Sequence, residues 1–372
     1  MRGVRLKGIV MLLTLPVALM GCSRQGQPPA QHGDGVGRPI TIMAFNVENL
    51  FDARDDPGKN DRTYLPLSAK QTASHRAACA RIERRSWRKQ CFDWDWSEAV
   101  VDHKLTVVAN AILQVGNGRG PDIVALQEVE NLAILERLRT DYLAAADYLQ
   151  GILIEGDDNR GIDVAFLSRL PVVDRPRLHP IPLRGFGQRR LTDTRGILAA
   201  TFQLPDGGLL TGYSVHFPAP YMPREMREQA YDFLNVLLAR LPPERPAFAA
   251  GDFNTTSAED ADHDMLTRFA RPHWRIAHQE ECQQCPRGSS YFPPDRSWSY
   301  LDMVLYSPGR DPDLVAGWDL SSDGTFVANA TPEQVRPDGT PANYRLPQRR
   351  GVSDHWPVVM TIAPTEQRGA VQ

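Results

Sequence analysis

Two histidines and a set of acids and amides stand where strands of this chain should end, and their types suit hydrolysis at a phosphate. The stretch Gly351-Val352-Ser353-Asp354-His355-Trp356-Pro357-Val358-Val359-Met360 reads as a turn glycine, a polar tripeptide, a proline that stops pairing and a β-branched pair. It delivers Asp354 and His355 to the mouth of a strand. A carboxylate can hold a divalent ion while the imidazole beside it handles a proton near neutral pH, the minimum kit for metal-assisted hydrolysis. Comparable edges carry Asn46, Glu48, Glu128, Asp163, His216, Asp252, Asn254 and Asp302. This set of acids and amides with two histidines and no cysteine suits a hard ion such as Mg²⁺ or Mn²⁺; a zinc hydrolase would ask for more nitrogen ligands. No Gly-x-Ser-x-Gly elbow and no phosphate-cradling glycine-rich loop occur, which counts against a serine esterase and a nucleotide kinase.

The elements that must position these residues alternate. Residues 39–47 form a strand whose polar end is Asn46 and Glu48, and Val101, Leu105, Val108, Ile112 and Val115 recur at helical spacing before Asn117-Gly118. A buried strand, 122–128, ends on Glu128; a helix over 131–148 and a strand over 161–168 follow. A hairpin pairs 196–202 with 209–216 about Asp206-Gly207-Gly208, a helix runs over 224–240, and strands are expected at 246–254, 298–305 and 352–362. Two stretches break the rhythm: an insertion at about 53–97 and a rim loop at about 307–350. Within residues 76–90 the insertion carries Arg76, Arg81, Arg84, Arg85, Arg88 and Lys89 against Glu83 alone, with Trp94 and Trp96 close behind. Such a run is either a solvated face or a surface that tracks phosphates while the tryptophans stack bases.

At 372 residues, 42% hydrophobic and 23% charged, the chain suits one large domain or two small ones. Residues 1–21 stand apart: Arg2, Arg5 and Lys7 precede an apolar run from Ile9 to Met20 that is too short to span a bilayer. Ending in Gly21-Cys22, this leader resembles a bacterial lipoprotein signal. The resemblance implies export, acylation of Cys22 and, with Ser23 next, the outer membrane. Loss of the leader takes the formal net charge from −3 to −6, so a polyanion must be bound by a local basic surface. Residues 22–38 read as a flexible tether and 364–372 as a tail. Cys79, Cys91, Cys282 and Cys285 remain; local disulfides are the preferred reading, with a zinc site at Cys282-Gln-Gln-Cys285 as its rival.

Taken in order, Asn46-Val-Glu-Asn-Leu-Phe-Asp52, Gln127-Glu128, Arg160-Gly-Ile-Asp-Val-Ala-Phe-Leu-Ser168, His216-Phe217, Gly251-Asp-Phe-Asn254, Leu301-Asp302 and Ser353-Asp-His355 resemble the endonuclease/exonuclease/phosphatase superfamily. The opening is most like its extracellular-nuclease branch. The resemblance implies the DNase I-like fold over 39–363, an α/β four-layered sandwich of two packed mixed sheets flanked by helices. It also implies Mg²⁺- or Mn²⁺-dependent attack of water on a phosphate ester. By the same resemblance Glu128, Asn46 and Asp354 hold the metal. Asp252 and Asn254 position water and phosphate, His355 is oriented by Asp302, and His216 contacts the phosphate. Arg160 belongs to the substrate side; Asp163 is either a substrate contact or a structural acid. Arg84, Arg85 and Arg88 are the candidate backbone contacts. Val129-Glu130, where many family nucleases carry a basic residue, leaves room for a second metal or another phosphate contact. The expected activity is an exported, membrane-anchored, monomeric nuclease. The alternatives are a phosphatase or phosphodiesterase of a phospholipid, an inositol or sugar phosphate or a nucleotide, and, remotely, a non-enzymatic binding protein.

Overall fold

Residues 37–187, 194–311 and 317–365 are described by the computed structural model. The leader, Cys22, most of the tether and most of the tail lie outside the described residues. Among the described residues the strands are β1 (Ile40–Leu50), β2 (Ile123–Val129), β3 (Ile152–Leu153), β4 (Asp163–Ser168), β5 (Arg177–His179), β6 (Ile197–Gln203), β7 (Leu209–His216), β8 (Ala247–Asp252), β9 (Arg275–Ile276), β10 (Ser290–Phe292), β11 (Ser297–Ser299), β12 (Asp302–Ser307), β13 (Trp318–Leu320), β14 (Phe326–Val327) and β15 (Val358–Pro364). One sheet runs β13-β15-β1-β2-β4-β3 with β14 beside β15; the other runs β5-β6-β7-β8-β12-β9. Each is mixed, with one parallel pair, β1–β2 in the first and β7–β8 in the second.

Strand side chains alternate between faces, so a strand buried on both sides feeds two cores. In β1, Met43, Phe45 and Val47 enter one core and Ile40, Ile42 and Ala44 another. In β8, Phe248 and Ala250 share that second core while Ala247 and Ala249 enter a third. The second core therefore lies between the sheets. The first receives Val101, Leu105, Val108 and Ile112 from a helix, and the third receives Met226, Tyr231 and Leu234 from another, Arg224–Ala239. Helix, sheet, sheet and helix make the expected four layers. Parallel neighbours need a crossover, and these two helices fall between the parallel partners in sequence.

Several local expectations shift. The helix expected over 131–148 holds only from Leu132 to Arg137, then loosens through a π-turn, Leu138–Tyr142, and a 3₁₀ turn. The strand expected over 298–305 is two: β11 pairs with β10 in a separate ribbon, and β12 enters the second sheet. β15 begins only at Val358, which leaves Ser353, Asp354 and His355 on the preceding loop. The rim stretch is more than decoration, since Trp318, Ala328 and Tyr344 are buried in the cores. The insertion carries helices α1 (Ala73–Ala80) and α2 (Arg85–Asp93) ahead of the crossover helix α3 (Glu98–Leu113). Disulfides Cys79–Cys91 and Cys282–Cys285 are both local.

Candidate active site

The strands β7, β8 and β12 end level with one another, and their registers put His216 beside Asp252 and Asp252 beside Asp302. Gly251 makes this possible: its φ is +150°, and a Cβ there would lie 2.0 Å from the Val215 carbonyl oxygen. At neighbouring strand exits Glu48, Asn49, Glu128 and Asn254 adopt φ between 50° and 64°. Left-handed backbone in non-glycine residues costs on the order of 1–3 kcal/mol each, and here side chains offset it. Asn46 Oδ1 accepts from Glu48 N (3.0 Å), Glu128 Oε2 from Asn49 N (3.0 Å), and Asp252 Oδ1 from Asn254 N (2.9 Å).

His355 is held from behind. Its Nδ1 lies 2.7 Å from Asp302 Oδ2, which also accepts from Ser289 Oγ at 2.7 Å. The backbone of His355 donates to Ser353 Oγ (3.0 Å), which in turn donates to the Asn46 carbonyl (2.7 Å). Nε2 is left facing Asp354 Oδ1 at 3.8 Å and Asp252 Oδ2 at 4.0 Å. Burial opposes charge on this ring, yet Asp302, Asp354 and Asp252 outweigh it and hold its pKa well above the ordinary imidazole value. His216, 3.5 Å from Asp252 Oδ2, goes the other way: burial, then Arg195, Arg160 and His355, push its pKa well down. The two imidazoles are thus pushed in opposite directions, His355 towards its charged form and His216 towards its neutral form. Burial raises the Asp252 carboxyl to about 7 against the pull of His355, and Asn46 Nδ2 donates to it at 3.0 Å. Asn254 is fixed by its Nδ2 on the Phe217 carbonyl, 2.9 Å away.

Beside this group sits a second cluster, of Glu48, Glu128 and Asp354. The pKa of Glu48 is driven well up by burial, then by Asp354 and, less, by Glu128. Buried Lys104 stands behind them, donating to the Val352 carbonyl at 2.6 Å, and burial lowers its pKa to about 8. Acids that repel one another across a shared cavity, with the Asn46 amide beside them, are the donor set a hard divalent ion suits, so the residues present fit Mg²⁺ or Mn²⁺. Asp252, Asp302 and His355 also bring ligand atoms within 4.8 Å of one another, but the Nδ1–carboxylate bond already ties up part of that set.

Both clusters open into one cleft of about 830 Å³. Asn46, Glu128, His216, Asp252, Asn254, Asp354, His355 and Arg160 all line it, and Asp302 lies behind His355. The insertion forms the facing wall, through Arg62, Tyr64, Arg81, Trp87 and Trp94. Two expectations, for the three arginines and for Trp96, need correction here, and Asp163 falls on the structural side of its two readings. Arg84, Arg85 and Arg88 are not among the lining residues: Arg84 packs over the Trp87 ring at 4.7 Å, Arg85 is exposed, and Arg88 donates to the Ile82 carbonyl at 3.0 Å. On α2 the cleft side is Trp87, Gln90 and Cys91, continued by Trp94, a helical spacing that turns Arg85 and Arg88 elsewhere. Trp96 is core, 1% exposed, with Nε1 on the Phe51 carbonyl at 3.1 Å. Asp163 also lies off the cleft, accepting from Gly156 N at 2.8 Å.

Burial and then Glu155 raise the Asp163 carboxyl to about 8. A carboxyl whose folded pKa exceeds its unfolded value binds its proton more tightly when folded. Its contribution to stability therefore falls as pH rises from about 4 towards 8. Asp163→Asn should flatten that slope while leaving turnover unchanged, as thermal melts across pH would read. Sequence reasoning counted Glu48 among the strand-end donors but left it out of the metal ligands implied by the resemblance, and missed Arg195 and Tyr221, which reach the cleft from loops without a periodic signal.

The known proteins most informative for this chain share its fold at low identity. A structure from Beutenbergia cavernae is 18% identical, with a TM-score of 0.51, covering 88% of this chain and 72% of that one. One from Bacteroides thetaiotaomicron is 17% identical, with a TM-score of 0.52, covering 89% and 99%. One from Bacteroides vulgatus is 17% identical, with a TM-score of 0.51, covering 87% and 98%. All three are described as endonuclease/exonuclease/phosphatase proteins. No curated protein sequence matches the chain. The sequence model of the Endonuclease/Exonuclease/phosphatase family matches residues 101–355, from inside α3 to His355. Members of that family are in general metal-dependent hydrolases of phosphoester bonds, and with the match spanning most of its length this chain belongs to the endonuclease/exonuclease/phosphatase family.

Proposed function

We propose that this protein is a divalent-metal-dependent phosphodiesterase that cleaves nucleic acid, exported and held at the outer membrane by lipid on Cys22. The observation that carries the substrate reading is the two-sided cleft. Its floor is the His355–Asp302 pair with Asp252, His216 and the acid cluster, and its wall is Arg62, Tyr64, Arg81, Trp87 and Trp94. Guanidinium groups suit a phosphate backbone and aromatic faces suit unstacked bases. The leader's basic flank and Gly21-Cys22 support the location.

Glu128, Asn46 and Asp354, with Glu48 beside them, would hold Mg²⁺ or Mn²⁺, which supplies positive charge against the phosphate oxygens. Asp252 is the group to orient the attacking water and take its proton, because burial brings its carboxyl into the range where it can accept one. Charged His355 donates from Nε2 to a phosphate oxygen, with Asp302 fixing the ring's tautomer and angle. Neutral His216 and the amide of Asn254 complete the phosphate's surroundings. Arg160, 3.8 Å from Glu128 Oε2, is the nearest guanidinium to the acid cluster among the described residues.

A second reading, a phospholipid or sugar phosphate, draws on Trp87 and Tyr221, 50% and 81% exposed along the cleft. Substrate panels in Mg²⁺ and in EDTA separate the two. If nucleic acid is the substrate, replacing Arg62 and Arg81 with Ala should raise KM for long strands and make the salt dependence shallower, by roughly one for each phosphate that is no longer held. Hydrolysis of a small chromogenic diester should hardly change, and Arg84→Ala with Arg85→Ala and Arg88→Ala should keep the parental slope. Equal slopes for the Arg62/Arg81 variant and the parent would move the assignment to a small phosphate ester.

A further inference from the structure

A side pocket adjoins the catalytic cleft, and none of the chemistry above fills it. It has a volume of about 60 Å³ and shares Arg160, Arg195, His216 and Tyr221 with the cleft. The rest of its wall is mostly apolar, from Ile181, Pro218, Met222 and Met226. By the space one water needs, such a cavity holds about four heavy atoms, the size of a phosphoryl group and well short of a nucleobase. Part of this wall is fixed before anything enters. Buried Arg227 donates from Nη1 to the carbonyls of Pro218 at 3.1 Å and Ala219 at 2.7 Å, while its Nε holds Glu259 at 2.8 Å.

The polar side of the pocket is cationic and short of acceptors. Arg195 Nε lies 3.0 Å from Asp158 Oδ2 and pairs charge with it, but makes no hydrogen bond among the described residues. His216 Nδ1 is likewise buried without a partner among them, on a side chain only 4% exposed. Asp158 is the acid in the pocket's lining, set against both Arg160 and Arg195, and its Oδ1 already accepts from Arg160 N at 2.8 Å. The two guanidiniums act on the His216 ring, where after burial they lower its pKa. Arg160, which also donates to Asn49 Oδ1 and stands 3.8 Å from Glu128, ties the pocket to the metal-side cluster. Buried nitrogens beside a cavity call for an acceptor, and a guanidinium fork matches the oxygens of a phosphate.

Resting on the nuclease reading above, we propose that this pocket takes a terminal phosphate of the substrate, beside the phosphate being cut, so that the enzyme works from a phosphorylated strand end. An internal phosphate continues as chain on both sides, which so small a space does not admit; a terminal one needs a single way in. His216 lines both the pocket and the cleft and stands 3.5 Å from Asp252, so an occupant lies one side chain away from the catalytic group. The bond cut is then the diester nearest that end. Its first product is a mononucleotide.

Three short single strands of one sequence test this with the full-length protein in Mg²⁺: one with a 5′-phosphate, one with a 3′-phosphate and one with hydroxyls at both ends. For one of the phosphorylated strands kcat/KM should exceed that of the hydroxyl-ended strand on the order of tenfold or more, with mononucleotide released first. Arg195→Gln combined with Asp158→Asn removes both charges of the ion pair, so neither is left buried alone, and should bring that ratio close to one. Met222→Trp, which fills the pocket from a partly buried position, should do the same. An altered charge on His216 would scale all three strands alike and leave the ratio where it was. Equal kcat/KM for the three strands in the parent, or a parental ratio kept by both variants, overturns the pocket and leaves the nuclease reading standing. No hydrolysis of any strand removes that reading, and the pocket's role with it.

Discussion

Glu128→Gln should lower kcat on the order of a hundredfold or more, about 2.7 kcal/mol of transition-state stabilisation, without unfolding the protein. Glutamine keeps the length and one acceptor of the carboxylate, so the bond from Asn49 N that settles the left-handed backbone at Asn49 can survive. What it removes is charge. Glu128 acts on Glu48 and Lys104 across the acid cluster, and its loss leaves Asn46, Asp354 and Glu48 to hold a divalent ion. The variant should therefore need more Mg²⁺ to reach half its activity, and Glu128→Ala should be at least as impaired. Titrating Mg²⁺ against turnover in both proteins checks this. Full parental turnover in EDTA would refute the assignment of metal to this cluster.

The fold was legible because both sheets are buried on two faces. In β1 and β2 nearly every residue is apolar up to the polar end, so the strands and their chemically interesting tips announce themselves together. Asp354 and His355 were legible for the same reason, as a polar tripeptide before a proline and a strand. The insertion was not, because what its helices present depends on docking. Cys91 must face inward to meet Cys79, and only then do Trp87, Gln90 and Trp94 fall on the cleft side and Arg85 and Arg88 off it. Asp163 stayed ambiguous because it opens a strand matching a family pattern, although its alternation groups it with Ala165 and Leu167, which enter the outer core. Lys104 carried a signal that periodicity alone discards. A lysine next to Leu105 on a helix whose face is apolar is a buried charge in want of acids, and those acids are the metal-side cluster.

Asp302 and His355 should behave in mutation as one group. Asp302 touches His355 Nδ1 and Ser289, lies behind the ring, and has no place on the cleft surface, so its contact with the reacting groups is through the imidazole, beside a weaker charge effect on Asp252. Asp302→Ala, His355→Ala and the double variant should then cost similar amounts, within about tenfold of one another, where independent contributions would multiply. The pH profile separates a charged ring from a proton acceptor. Asp302 raises the pKa of His355, so below that pKa the ring is charged, and an alkaline limb marks its loss. Asp302→Asn removes one of three carboxylates facing the ring, which must move that limb to lower pH. A ring serving as base would instead gain activity at lower pH in the same variant, because its neutral form would appear sooner. If the single losses multiply and the alkaline limb stays put, Asp302 is a structural acid of β12 and His355 works without it.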